Sequence, residues 1–405
     1  MSNNTPALRF KGFTGAWTQR KLEDVAEFSR GTGYSKSDLT SKGTPIILYG
    51  RLYTKYETEI NDVDTFVDIR ENSVLSQGGE VIVPSSGETA EDISRASVVT
   101  RAGVVLGGDL NIVKPNATIY PPFLAVTISN GNQQKELSRR AQGKSVVHIS
   151  NSDLKDVILQ LPCLEEQAAI GTFFRTLDDI IAASQRKVAG LKRLKAAYLQ
   201  QMFPQAGARV PGVRFSGFSE DWNEVMLGEM LVERNDQTEE SAEYPLMSFV
   251  GNVGVVPKGE QYDRSFLVKD ESKKYKKTML NDFIYSSNNL ETGSIGFNRT
   301  GNAVISPVYS IFHSNNDSES QFIGLLSNRR DFINKMIHYR QGVMYGQWRI
   351  HEKDFLKIII LSPSTAEQNK IIHFFHILDE QISVGQDKLE NLKQLKSSYL
   401  QKMFV

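Results

Sequence analysis

The chain has 405 residues, 47 of them basic and 47 acidic, with a single cysteine, Cys163. That length accommodates two or three domains, each with its own core, and the balanced charge moves any nucleic-acid reading from the whole chain onto local patches. One cysteine excludes an internal disulfide and fits a reducing cytosol; with no apolar run of membrane-spanning length and no signal-peptide pattern in MSNNTPALRF, the expectation is a soluble cytoplasmic protein.

In chain order the first landmark is an aromatic opening: Arg9, Phe10, Gly12, Phe13 and Trp17, followed by Leu22. It recurs as Arg214, Phe215, Gly217, Phe218 and Trp222, followed by Leu227. Residues 8–155 and 213–360 read as mixed, strand-rich segments. Short apolar runs at 44–49, 81–83, 103–106 and 358–360 are bounded by Gly, Pro, Ser and Asn. A helical stretch is expected around residues 122–126 in the first segment and 322–326 in the second. Inside each, GEVIVPSSGET at 79–89 is answered by NDFIYSSNNLET at 281–292.

The strongest repeat follows each segment. Residues 162–203 and 363–404 align without a gap, and 20 of the 42 positions are identical. A period near 200 residues means a duplicated domain, where a solenoid would repeat every 20–50. Each copy has a largely apolar seam at spacings of three and four. In the first it runs Ile170, Phe174, Leu177, Ile181, Ser184, Val188, Leu191, Leu194, Tyr198 and Met202. In the second it runs Ile371, Phe375, Leu378, Ile382, Gly385, Leu389, Leu392, Leu395, Tyr399 and Met403. Five heptads of this kind predict long helices that pair as a coiled coil. Pro162 and Pro363 stand before the first turn, and Glu165, Glu166 and Glu367 suit its positive end. About 38 residues at 1.5 Å each reach roughly 57 Å. The small residues Ser184 and Gly385 share one position, where they would allow close approach of two backbones. The basic residues Arg186, Lys187, Lys192, Arg193, Lys195, Lys388, Lys393 and Lys396 read as a solvated face, or as contacts to phosphate or to an acidic partner.

The variable segments hold basic, amide and aromatic side chains in loops, the types that meet phosphates and base edges. They are Lys36, Arg51, Tyr53, Arg95 and Lys144 in the first, and Lys273, Lys274, Asn288, Asn289, Arg299, Tyr345 and Arg349 in the second. Arg pairs with guanine and Asn with adenine, while Lys holds phosphate. The plainer reading of any one of them is a solvated loop residue. Catalytic motifs fail on inspection. Gly143-Lys144-Ser145 lacks the glycine that a phosphate loop needs five residues earlier, where Ser138 stands. Tyr120-Pro121-Pro122-Phe123 has Tyr where an amino-methyltransferase has Asp, Asn or Ser. His373 and His376 have no cysteine nearby to complete a zinc site.

The openings at Arg9 and Arg214 and the Pro-x-x-x-Glu-Gln helix starts (Pro162, Glu166, Gln167; Pro363, Glu367, Gln368) resemble specificity subunits of type I restriction–modification systems. So do the Phe-Phe and Leu-Asp pairs that follow, and the Tyr-Leu-Gln-x-Met-Phe exits. The resemblance covers essentially the whole chain. It implies an α+β architecture: two target-recognition domains, 1–160 and 205–361, and two spacer helices, 161–204 and 362–405. The helices would pack as an antiparallel coiled coil with internal pseudo-two-fold symmetry. Each domain would read one half of a split double-stranded DNA target, and the helices would set the spacer. Two modification (methyltransferase) subunits would supply S-adenosylmethionine, and two restriction (translocase and nuclease) subunits ATP and Mg2+ chemistry. The chain itself would hold no cofactor or metal, and its target adenine would be flipped into the modification subunit. The alternatives from other classes are a non-DNA coiled-coil adaptor with two β-rich binding modules, and an enzyme in its own right. Salt-sensitive duplex binding separates the first, and S-adenosylmethionine binding by the isolated chain would favour the second.

Overall fold

The computed structural model describes residues 5–143, 146–251, 253–257, 274–291, 293–314, 316–342 and 348–404. It divides into two compact units, Met1–Arg186 with Gln386–Val405, and Lys187–Gly385. Two long helices, Leu164–Gln201 and Thr365–Met403, each contribute one end to each unit.

In the first unit the opening strand Thr18–Lys21 pairs antiparallel with Ile158–Leu161, the strand that runs into the first long helix, with Thr18 opposite Leu161. The second unit repeats this with Asn223–Met226 and Ile359–Ser362, Asn223 opposite Ser362. The chain is thereby stitched shut just before each helix begins.

Each unit is built around one strand buried on both faces. In the first unit this is Glu80–Pro84, inside a five-stranded sheet whose order is Ala26–Arg30, Leu110–Pro115, Glu80–Pro84, Ser97–Val99, Glu59–Ile60. Because side chains alternate along a strand, Val81 and Val83 face one core, with Trp17 and Phe123, while Ile82 faces another, with Ile47, Leu52 and Val104. The helix Pro121–Ile128, apolar on every side and buried from Pro122 onward, lies in the first of these cores. In the second unit the same logic holds for Phe283–Tyr285. Phe283 and Tyr285 join the core of Trp222, Phe322 and Phe355, and Ile284 joins Phe249, Val255 and Ala303. The helix Asp317–Leu326 takes the place of Pro121–Ile128.

The ends of the long helices close these cores. Phe404 lies 6.0 Å from both Phe123 and Phe174 in the first unit. Phe203 lies 5.6 Å from Phe322 and 5.8 Å from Trp222 in the second. The Met-Phe exit is thus a core plug in both copies.

Within each unit the two helical segments run antiparallel. In the first, the Phe173 and Tyr399 rings are 5.0 Å apart, and Asp178 pairs with Lys396. In the second, Tyr198 and Phe374 are 4.9 Å apart, and Lys195 pairs with Asp379. Two of the lysines that read as a solvated face are therefore internal ion partners. A Cβ at Gly385 would stand 2.9 Å from Val188 Cγ2, so glycine there permits the close approach. Of the seam residues, Ile170, Phe174, Leu177, Val188, Met202, Ile371, Phe375, Leu378, Ile382 and Met403 are buried. Ile181, Leu191, Tyr198, Leu392 and Tyr399 are half-buried. Leu194 and Leu395 are each 43% exposed and lie at the margin of the stripe.

Candidate nucleic-acid interface

The repeated Ser-Ser segments, half-buried in the first unit and buried in the second, each underlie a corner whose outer residues are exposed, His148 in one and Asn288 and Trp348 in the other. In the first, strand Glu80–Pro84 leads into Ser85 and the short strand Ser86–Gly87, which pairs antiparallel with Val147–His148. Tyr53 donates its hydroxyl to the Ser86 carbonyl at 2.5 Å, and burial pushes its phenol pKa up. Ser86 Oγ meets His148 Nδ1 at 3.1 Å. The next turn, Ala90–Ile93, is capped by Thr89, whose Oγ1 accepts from the Asp92 amide at 3.0 Å. Arg95 follows it, paired with Asp92 at 2.7 Å and lying 5.8 Å from the Tyr56 ring. Tyr53, Arg95 and His148 thus belong to one corner.

The second unit builds its corner from the same positions with different chemistry. Ser287 Oγ accepts from the Ile350 amide at 3.0 Å, and Asn288 Oδ1 accepts from the Trp348 amide at 2.6 Å. Tyr285 donates to the Ile350 carbonyl at 3.2 Å, and its burial raises its pKa. Strands Gln341–Gly342 and Trp348–Arg349 pair antiparallel beside it. Arg340 forks onto Glu291 at 2.9 and 2.8 Å, holding that carboxyl below its ordinary pKa, and lies 5.7 Å from the Trp348 ring. Trp348 is 49% exposed. Arg349 is exposed as well, reaching Glu352 only at 3.4 Å. An exposed tryptophan beside an exposed arginine and an amide presents both a stacking face and hydrogen-bond donors.

The other sequence candidates scatter. Lys36 is exposed on the single turn Lys36–Asp38, and Lys274 is exposed just before strand Tyr275–Thr278. Asn289 is exposed beside Asn288. Arg51 is turned inward, bonded to Glu57 at 2.6 Å, Asp64 at 2.8 Å and the Asp62 carbonyl at 2.8 Å. Arg299 is bound to Asp379 at 3.0 Å and lies 4.4 Å over the Phe297 ring. Lys144, Lys273 and Tyr345 lie outside the described residues. Sequence reading passed over Trp348 and His148. The signal available was the Gln-Gly pair, Gln142-Gly143 and Gln341-Gly342, that opens the same tract in both copies.

Two copies of one mixed domain, each with an exposed polar corner and each closed by a long repeated helix, define a duplicated two-module chain. Among the described residues no cluster of three or more His, Cys, Asp or Glu is placed to hold a metal, and no helix is long and apolar enough to cross a membrane. The chain belongs to the type I restriction modification DNA specificity domain family, whose model matches it twice, at residues 15–193 and 219–394. A protein of Methanocaldococcus jannaschii named as the type I restriction enzyme MjaX specificity subunit is 23% identical over 230 residues. That match spans about half of each chain, 52% of this one and 52% of the relative. The crystal structure of a type I restriction–modification S subunit from M. genitalium superposes with a TM-score of 0.63 at 14% identity, covering 99% of both chains. A structure described in terms of complex assembly and conformational transition of a type I system matches with a TM-score of 0.52 at 16% identity, covering 97% and 98%. At these identities the structural likeness speaks for the fold.

Proposed function

We propose that this chain is the sequence-reading subunit of a type I restriction–modification complex, with each unit reading one half of a split DNA target. The observation that carries the reading is the double match of one DNA-specificity domain to a chain with two exposed polar corners of unlike chemistry. Unlike corners on repeated scaffolds suit a target whose two halves differ. Base and phosphate contacts come from exposed Lys36 and half-buried Arg95 in the first unit, and from exposed Lys274, Asn288, Asn289 and Arg349 in the second. Arg51, Tyr53 and Arg299 hold the framework through their bonds inside the units. Duplex DNA admits a two-stranded ribbon into its major groove, where Arg and Asn read guanine and adenine.

The two long helices form an antiparallel coiled coil with a pseudo-two-fold axis, a reading supported by the antiparallel contacts repeated in each unit. They set the spacer and dock two modification subunits, which bring S-adenosylmethionine; two restriction subunits bring ATP and Mg2+. The chain performs no chemistry of its own and works in the cytoplasm.

Long-read methylome sequencing of cells expressing the chain with its modification subunit tests this. A split adenine-methylated motif is expected, absent without the chain. Exchanging residues 8–155 for another recognition domain is expected to change one half-site only. No new methylation from an assembled complex would overturn the proposal.

A further inference from the structure

The two helix–helix ion pairs are repeat-equivalent, since Asp379 lies 201 positions after Asp178 and Lys396 lies 201 after Lys195. In each pair one carboxylate oxygen takes the lysine of the other long helix. The second oxygen is turned toward the globular part of the same unit. Asp178 Oδ2 accepts from Thr58 Oγ1 at 3.1 Å, and Asp379 Oδ2 accepts from Arg299 Nη1 at 3.0 Å. All six side chains are at least half-buried, where such bonds are screened less than on the open surface.

The domain-side partners are not equivalents of each other. Thr58 is a buried residue just before the edge strand Glu59–Ile60, while Arg299 follows strand Ile295–Phe297. The helices therefore repeat the acceptor, and each domain meets it with a different donor from a different part of its fold. Arg299 is held for this task. Its guanidinium lies 4.4 Å over the Phe297 ring, and that ring fills the space that a Cβ at Gly324 would need.

Resting on the reading of the chain as a DNA-specificity subunit, we propose that Asp178 and Asp379 are sockets that fix the tilt of each recognition domain on its helices. They are positioning residues: they govern the separation of the half-sites, while the bases read within each half-site are set elsewhere. It follows that Arg299 acts as a domain handle and does not read bases, and that any domain grafted onto these helices must present a donor to the socket.

The test is the methylome of the complete chain with its modification subunit, read for spacer length and half-site sequence separately. For Asp379→Asn, methylation at sites whose spacer is one base pair longer or shorter is expected to rise about fivefold relative to correctly spaced sites, the scale of one charge-assisted bond. Both half-site sequences stay unchanged. Arg299→Met should reproduce this, and Arg299→Lys should restore part of the spacing. The exchange Lys195→Asp with Asp379→Lys rebuilds the helix–helix pair but leaves Arg299 without an acceptor, so the relaxed spacing should persist. Wild-type spacing in that double variant would assign the carboxylate to helix pairing alone and overturn the proposal. So would an Arg299→Met complex that changes base preference while keeping its spacer. Absence of any split motif from the wild-type complex would instead overturn the reading of the chain, and the proposal with it.

Discussion

Arg214 forks onto Glu367 through two parallel bonds of 2.7 and 2.8 Å, as Arg9 does onto Glu166 at 2.8 and 2.6 Å. The glutamates are buried, their side chains 2% and 1% exposed, and each opens a long helix. The fork ties the aromatic opening of a unit to the helix start, which explains why the arginine and the glutamate recur together in both copies.

Removing one partner of a buried pair leaves the other charge without compensation, at a cost of about 3–5 kcal/mol. Arg214→Ala is therefore expected to destabilise the second unit by about 3 kcal/mol, the low end because Arg214 keeps some solvent contact. Arg214→Met with Glu367→Leu, which removes both charges, should recover most of it. Hydrogen exchange of the Phe283–Tyr285 amides reads the second unit by itself. Equal losses in the single and double variants would refute a charge origin.

Glu59 gives the first unit a pH dependence of definite sign. Burial raises its carboxyl above the ordinary 4.5, against the pull of Arg175 at 3.8 Å and with Asp179 and Asp178 adding to the rise. Between 4.5 and the raised value the folded state binds more protons than the unfolded one, so stability falls as pH rises through that window. Glu59→Gln is expected to remove this slope and to stabilise the first unit at neutral pH. Denaturation midpoints of the two proteins between pH 4 and 8 check it; parallel curves would show that the charge on Glu59 is immaterial.

The scaffold was legible because it is written twice and in helical periods. Helices fell where residues 122–126 and 322–326 predicted them, within Pro121–Ile128 and Asp317–Leu326. Sheet order was not legible. Glu80–Pro84 pairs with Leu110–Pro115 and Ser97–Val99, and nothing in a local pattern selects those partners. Arg51 and Arg299 looked like loop cations because the acids that hold them, Glu57 and Asp64 for one and Asp379 for the other, are chosen by the folded chain. Trp348 escaped because tryptophan is expected inside, as Trp17 and Trp222 are.

Phosphate and base contacts separate by their response to salt. Lys36→Ala is expected to weaken duplex binding alike for every sequence and to reduce the slope of log affinity against log salt by about 0.9, one released counterion. Arg349→Ala should relax the target at one position of one half-site by about 1–3 kcal/mol. Fluorescence binding titrations at several salt concentrations, repeated on single-base variants of the target, distinguish the two. Uniform weakening by Arg349→Ala would move that residue to the phosphate class.

Gly385 faces Val188 where the two helices approach each other. A Cβ there would meet Val188 Cγ2 at 2.9 Å, and valine is stiff at its only rotatable side-chain bond. Gly385→Ala sets about 1 kcal/mol of gained helix propensity against this contact, so its net effect is small. Gly385→Leu adds three more carbons at the same point, and overpacking of that kind costs about 1–3 kcal/mol. The leucine variant is expected to lose stability in the second unit, and Val188→Ala in the same chain should restore much of it by opening room. Denaturation of the single and double variants measures the coupling. Additive effects would mean that Val188 is not what limits the approach of the helices.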